Sequence, residues 1–187
     1  MISISPLTEV ALPHRALHVA AANSGHIVAM SKEGAGTLLG PDHLRITPFD
    51  VGCHVKGLSI SSGVSLLAVL EDDALSLVHL QDFIESHRLD GVFAGCLFSP
   101  SGNLLWTAKR VSDEVVGLDF FETKTWQVIA RSEVEDPFGD SGLMLFAHPS
   151  DTSVVSHKRL ELFSLIFSHS WSSATGLDPL QGLFAPV

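Results

Sequence analysis

Apolar and polar positions alternate over short distances along this chain, and the alternation returns at a regular interval. Four segments align: Leu17-HVAAANSGHIVAM-Ser31, Gly57-LSISSGVSLLAVL-Glu71, Gly95-CLFSPSGNLLWTA-Lys109 and Gly142-LMLFAHPSDTSVVS-His157. Each holds a short apolar stretch, a tight polar turn and a second apolar stretch. The turns are Asn23-Ser24-Gly25, Ser61-Ser62-Gly63, Pro100-Ser101-Gly102 and Pro149-Ser150-Asp151. Gly, Asn and Asp accept the positive φ that tight hairpins need, which accounts for their return at these tips.

The finer pattern reads as strands. Leu58 and Ile60 alternate with Ser59 and Ser61, as in a half-buried strand, whereas Leu66 to Leu70 is an unbroken apolar run suited to a strand covered on both faces. In the third unit Leu104, Trp106 and Ala108 share one face, and Val116, Leu118 and Phe120 share another. Trp126, Val128 and Ala130 supply a fourth strand after the polar turn Glu122-Thr-Lys-Thr125. Four strands with short polar connections form a meander, and meanders repeating every roughly 40 residues stack radially about an axis. One segment is ambiguous. Leu77, Leu80, Ile84 and His87 fall at helical spacing and admit a helix over 77–88; alternatively Leu75–Leu80 is a third strand and Ser86–Leu89 a fourth.

The expected fold class is therefore all-β and β-propeller-like, with about four repeats of four-stranded antiparallel meanders in an incomplete or unclosed ring. The repeats occupy residues 1–160, and 161–187 form an atypical apolar tail. From Leu162 to Val187 the only formal charge is Asp178, and Leu162–Ser168 offers a third strand to the fourth unit. An exposed stretch of this kind is sticky. It packs on sheet faces, covers an open edge, or is an altered terminus.

Phe98-Ser-Pro-Ser-Gly-Asn-Leu-Leu-Trp106 resembles the FSPDGxxLxx strand–turn–strand core of bacterial WD-repeat and YVTN-type β-propellers. Leu118-Asp-Phe-Phe-Glu-Thr-Lys-Thr-Trp126 is similar to the WD-x-x-TGK segment that follows it, one residue longer and with Leu118 where tryptophan would stand. Val78-His79 holds the corresponding place in the second unit. The likeness covers about residues 15–160. The Gly-His dipeptide of the eukaryotic-type repeat is missing from its expected place, since Gly25-His26 sits in a turn, so the hydrogen-bond network which the resemblance would imply is not assigned to residues here.

Charge narrows the choice of partners. Twenty-one acidic residues oppose eleven basic ones, a formal net charge of −10. A field of that sign repels phosphate, so neither nucleic acid nor an anionic membrane is an expected partner. Cys53 and Cys96 stand in no CxxC or Cys/His spacing and read as small half-buried hydrophobes in a reducing compartment. No basic, apolar leader precedes Arg15 and no run of 18 uncharged apolar residues occurs, which points to a cytoplasmic protein.

Few motifs suggest chemistry. Gly139-Asp-Ser-Gly142 matches the surroundings of a serine-protease nucleophile, but no matching histidine segment precedes it, and a turn between strands explains it equally. His148, His157 and His169 lack zinc-ligand spacing, and a Cys96–His pair has no local support. Glu71-Asp72-Asp73 and the group Glu133, Glu135, Asp136 and Asp140 are acidic clusters in turns. In a propeller those turns emerge at the same end as Lys109 and Arg110. They form a solvated polar rim or a partner-docking surface of Glu71, Asp72, Asp73, Lys109, Arg110, Asp136 and Asp140. No catalytic residue, cofactor or metal ligand is assigned.

The expectation is a non-catalytic scaffold binding a protein or peptide through its loop face, with self-association through uncovered blade edges as a further partner mode. Two alternatives stay open. One is a lactonase-like propeller hydrolase, in which Glu71, Asp119 and Asp136 would converge on an axial divalent metal. The other is a fragment of a longer propeller without independent function.

Overall fold

The computed structural model describes residues 10–42, 45–63, 65–112 and 115–135, and the strand backbones at 144–147, 153–158 and 161–166. These residues build four antiparallel sheets in sequence order. The first contains β1 (His18–Ala21), β2 (Ile27–Met30), β3 (Ala35–Leu39) and β4 (Ile46–Asp50). The second contains β5 (Gly57–Ile60), β6 (Leu66–Leu70), β7 (Ala74–His79) and β8 (Glu85–Asp90). The third is β9 (Phe93–Phe98), β10 (Leu104–Arg110), β11 (Val115–Glu122) and β12 (Val128–Glu135), and the fourth is β13 (Met144–Ala147), β14 (Ser153–Lys158) and β15 (Glu161–Ile166). Every strand pairs with its neighbour in sequence, so each sheet is a meander. The ambiguous stretch 77–88 is thus strand, turn and strand. Its apolar residues at helical spacing serve a sheet whose register shifts at a bulge between Leu77 and Val78.

The polar tips close the first hairpins as their chemistry requires. Gly25 (φ 84°) and Gly102 (φ 75°) occupy the left-handed region, and their N–H groups donate to Ala22 O and Ser99 O. Gly63 has no such φ. There the serine before the turn carries the geometry: Ser61 Oγ accepts from Leu66 N–H at 3.0 Å, as Ser99 Oγ accepts from Leu104 N–H at 3.2 Å.

The sheets stack face to face. Leu67, Val69, Val78 and Ile60 of the second sheet bury themselves against Val28, Met30 and Ala22 of the first. The opposite face of the second sheet presents Leu66, Ala68, Leu70, Leu75 and Leu77 to Phe93, Phe98, Leu105 and Phe121 of the third. The forward face of the third sheet carries Trp106, Ala108, Val116, Leu118 and Phe120, and β13 runs beside β9. At roughly 1.5–3 kcal/mol per large side chain removed from water, these interfaces are the main source of stability. Being covered on both faces explains why Leu66–Leu70 is continuously apolar and why all five residues are buried.

The same sandwiching corrects the reading of β5 as a half-buried strand. Ser59 is only 4% exposed, and its Oγ accepts a 2.8 Å hydrogen bond from Phe98 N–H across the sheet boundary. The inner strands β1, β5, β9 and β13 adjoin in that order, and the ring they begin is not closed.

A second correction concerns Trp126, which precedes β12 and does not belong to it. It ends the turn between third and fourth strands with φ 57°, its N–H donating to Glu122 O. Phe83 stands identically in the second sheet, with φ 58° and its N–H donating to His79 O. Each ring reaches back to the outermost strand of the preceding sheet. Phe83 stacks on Phe49 at 4.4 Å between centroids, and Trp126 lies 5.2 Å from His87. Phe49 in turn covers Gly36, leaving no room there for a Cβ.

Candidate functional site

Turns after second strands and linkers between sheets emerge at one end of the stack, as the meander order demands. At this end Glu71 meets the linker before the second sheet at Cys53, and Lys109 meets the linker before the third at Gly91. Glu71 closes β6. Its side chain is buried, and the Arg88 guanidinium on the outermost strand β8 grips it fork on fork, Nη1 to Oε1 at 3.1 Å and Nη2 to Oε2 at 3.0 Å. The cross-strand pairing of Ser76 with Arg88 makes this possible by placing both side chains on one face.

Ser76 Oγ sits 2.5 Å from Glu71 Oε1 and 2.6 Å from Glu85 Oε2, and accepts from Arg88 Nη1 at 3.0 Å. Its single proton serves one carboxylate at a time. Asp73, Glu85 and Asp90 also lie within 3.6–3.9 Å of Arg88. Engagement with Glu71 holds this guanidinium more firmly protonated than usual.

Asp72 points outward into a second, more solvated arrangement. Lys56 Nζ approaches it at 2.9 Å and His54 Nδ1 at 3.2 Å, and the Lys56 ammonium holds its carboxyl below the usual range. Five carboxylates thus surround Arg88 and Lys56, and the outer ones are open to solvent: the side chains of Asp72, Asp73 and Asp90 are 61%, 83% and 94% exposed. The linker carrying His54 and Lys56 is itself fixed. Val55 N–H donates to Lys32 O and Lys56 N–H to Leu70 O, and Gly34 (φ 97°) tucks so closely beneath Cys53 O that a Cβ would lie 2.8 Å away.

The other residues expected at this end divide. Lys109, the counterpart of Glu71 in the third sheet, lies against Gly91 and over the Phe93 ring at 5.7 Å. Arg110 is half-buried at the end of β10, opposite Val116. Asp136, Asp140, the Gly139–Gly142 motif, the Pro149–Asp151 turn, His148, His169 and the tail from 167 lie outside the described residues, as does the His157 side chain. Asp119 pairs with Arg131 on the outermost strand at 3.0 Å. Glu71 and Asp119, which the hydrolase alternative brings together at the axis, are therefore each held by a fourth-strand arginine. Among the described residues no group of three or more His, Cys, Asp or Glu is placed to hold a metal ion.

The cysteines are chemically quiet. Burial, then the nearby Glu71 charge, push the Cys53 thiol up to about 11, and desolvation pushes Cys96 up to about 12. A thiol so far from its thiolate form is a poor nucleophile at neutral pH.

A pocket of about 440 Å³ opens at the opposite end, beside the axis. Inner strands β1, β5 and β9 and their first turns supply its walls, including Ala20, Ala22, Ser59, Ser62, Leu97 and Pro100. Sequence patterning did not reveal this pocket, nor the roles of Arg88, Ser76, Glu85, Lys56 and His54. The signal for Arg88 was its place in a fourth strand, but the bulge after Leu77 decides which face it occupies.

No family model matches the chain, and no curated protein does. Solved structures do. The chain is similar to the WD40 domain of Toxoplasma gondii coronin, with a TM-score of 0.62 at 12% identity, over 79% of this chain and 40% of that one. It is similar to the β-propeller domain of Myceliophteria thermophila Cps50 (Swd1), with a TM-score of 0.60 at 15% identity over 88% and 55%. The fold is that of a β-propeller. Kuenenia stuttgartiensis hydrazine synthase matches with a TM-score of 0.61 at 14% identity over 87% and 48%, so an enzyme shares this architecture with the other two domains. The chain spans about half the length of the propeller chains it matches. Each four-stranded sheet is a blade, and the acidic group lies between blades one and two.

Proposed function

We propose that this propeller is a binding scaffold whose blade-linker end docks a protein or peptide presenting basic side chains. The observation that carries the reading is the rigidly mounted acidic group. Arg88 is committed to buried Glu71, while Asp72 and Asp73 in the turn after β6 and Asp90 at the end of β8 keep their side chains largely in solvent. Fixed charges of one sign attract an opposite partner and set its orientation, with a contribution that weakens as salt rises. Preorganisation adds to this, since the Asp73 carbonyl is tied to Gly91 N–H at 2.7 Å and the turn need not be ordered on binding.

The test is titration of the chain with a lysine/arginine-rich peptide and with an acidic peptide of equal length. The basic peptide binds, and Asp72→Asn with Asp73→Asn weakens it about tenfold and flattens its salt dependence. Asp82→Asn with Glu122→Gln removes the same charge from the other end and leaves binding within about twofold. Equal loss in both double variants, or no binding of the basic peptide, would overturn the reading.

A further inference from the structure

We propose that two copies of this chain pair through the outer edge of β12, antiparallel and about a two-fold axis at Ser132, so that the third sheet of one continues into that of the other. In each four-stranded sheet the fourth strand lies farthest from the adjoining inner strands. Its outer edge faces away from the axis however many blades the ring contains. Among the described residues no strand pairs with the outer side of β4, β8 or β12. An open edge is a template for another strand unless its sequence forbids it.

Two of these edges are blocked. Pro48 stands at the centre of β4 and has no N–H to give to a further ladder. On β8 the arginine is turned onto Glu71, and the strand begins and ends with the carboxylates of Glu85 and Asp90. β12 differs from both. It is eight residues long, contains no proline, and pairs with β11 in unbroken register from Ala130 to Glu135. Ile129, Arg131 and Glu133 are exposed along it, alternating with half-buried Ala130 and Ser132.

The order of charges selects both the occupant and the register. Residues directly opposite in an antiparallel pair turn their backbone groups the same way, so two identical strands related by a two-fold axis are centred on a residue. Centring on Arg131 sets guanidinium against guanidinium, and centring on Glu133 sets carboxylate against carboxylate. Centring on Ser132 sets Arg131 of each copy opposite Glu133 of the other, giving two ion pairs by symmetry. Arg131 is mounted for this role. Asp119, its cross-strand neighbour on β11, takes Nε at 3.0 Å, and a guanidinium carries two further nitrogens. Each copy presents this edge once, so the contact closes at two. It involves none of the acidic group between blades one and two, and so stands or falls apart from the docking reading.

The experiment is sedimentation equilibrium of the chain over a concentration series. The mass should rise from the 20.0 kDa of one copy toward twice that value. A strand-edge contact is small beside a standard interface, which places half-association at roughly 10–100 µM. Arg131→Glu alone and Glu133→Arg alone each keep the single-copy mass, with the strand circular-dichroism signal unchanged. Mixing the two in equal amounts restores opposite charges at both positions, and association returns. Lys124→Glu, at an exposed position in the preceding turn, leaves association as it was. Cysteine pairs read the register, because Cα atoms directly opposite lie about 4.5–5.5 Å apart, within disulfide reach. Ser132→Cys links to itself on mild oxidation, and Arg131→Cys links only when mixed with Glu133→Cys; the unaltered chain serves as the blank for Cys53 and Cys96. A single-copy mass for the unaltered chain up to about 1 mM, association that survives Arg131→Glu, a charge-swapped mixture that stays apart, or Ser132→Cys without an interchain link would overturn the proposal.

Discussion

Phe83 and Trp126 are the same structural residue in successive blades: both hold a left-handed backbone (φ 58° and 57°) at the end of the third turn, and both lay an aromatic ring against the blade before. A side chain costs roughly 1–2 kcal/mol in that conformation, which stacking and burial offset. Two substitutions at Phe83 therefore rank against the usual order. Phe83→Ala loses the ring and keeps the strain; Phe83→Gly loses the ring and relieves it. Phe83→Gly should be the more stable by about 1 kcal/mol in urea unfolding. An alanine variant equal to or above glycine would show that the turn carries no strain.

Glu71 and Arg88 form a coupled pair whose partners are unequal, since the carboxylate is buried and the guanidinium is 41% exposed. Arg88→Met strands the buried carboxylate and should lower the urea midpoint, with solvent screening on the arginine side limiting the loss. Adding Glu71→Gln removes the stranded charge and recovers part of that loss. A double-mutant cycle should show the two changes to be non-additive; strict additivity would mean that the fork contributes nothing in solution.

The thiols give the pH dependence a definite sign. Cys53 and Cys96 have folded-state values of about 11 and about 12 against an ordinary 9.0, so the folded chain keeps protons that the unfolded chain releases. Their contribution is whole below about pH 9 and is lost as pH climbs toward the raised values. The urea midpoint should fall more steeply above about pH 9 in the natural chain than in Cys53→Ser. Alkylation of both thiols at neutral pH should lag well behind that of a free cysteine. Prompt labelling of Cys53 in the folded protein would contradict the burial seen at the blade linker.

The repeat was legible in the sequence because its determinants are local. Turn glycines at 25 and 102 and the apolar run at Leu66–Leu70 each reflect one element and its immediate cover. What stayed hidden depends on register between distant strands. Ser59 looked like a solvent-facing residue until Phe98 N–H, 39 positions away, was found to need an acceptor. Trp126 passed for a strand residue because an aromatic at a left-handed position gives no glycine signal. The acidic triplet Glu71–Asp73 was visible, but its division into one buried and two exposed carboxylates follows from Arg88, which a bulge turns inward.

The hydroxyl of Ser59 that reaches Phe98 N–H marks how these sheets are joined: by side chains and apolar contact, with no backbone ladder among the described residues crossing from one sheet to the next. A junction of that kind imposes an angle but no numerical limit. Units can be gained, lost or contributed by another molecule without rewriting any pairing inside a unit, and only accumulated curvature decides when the circle is full.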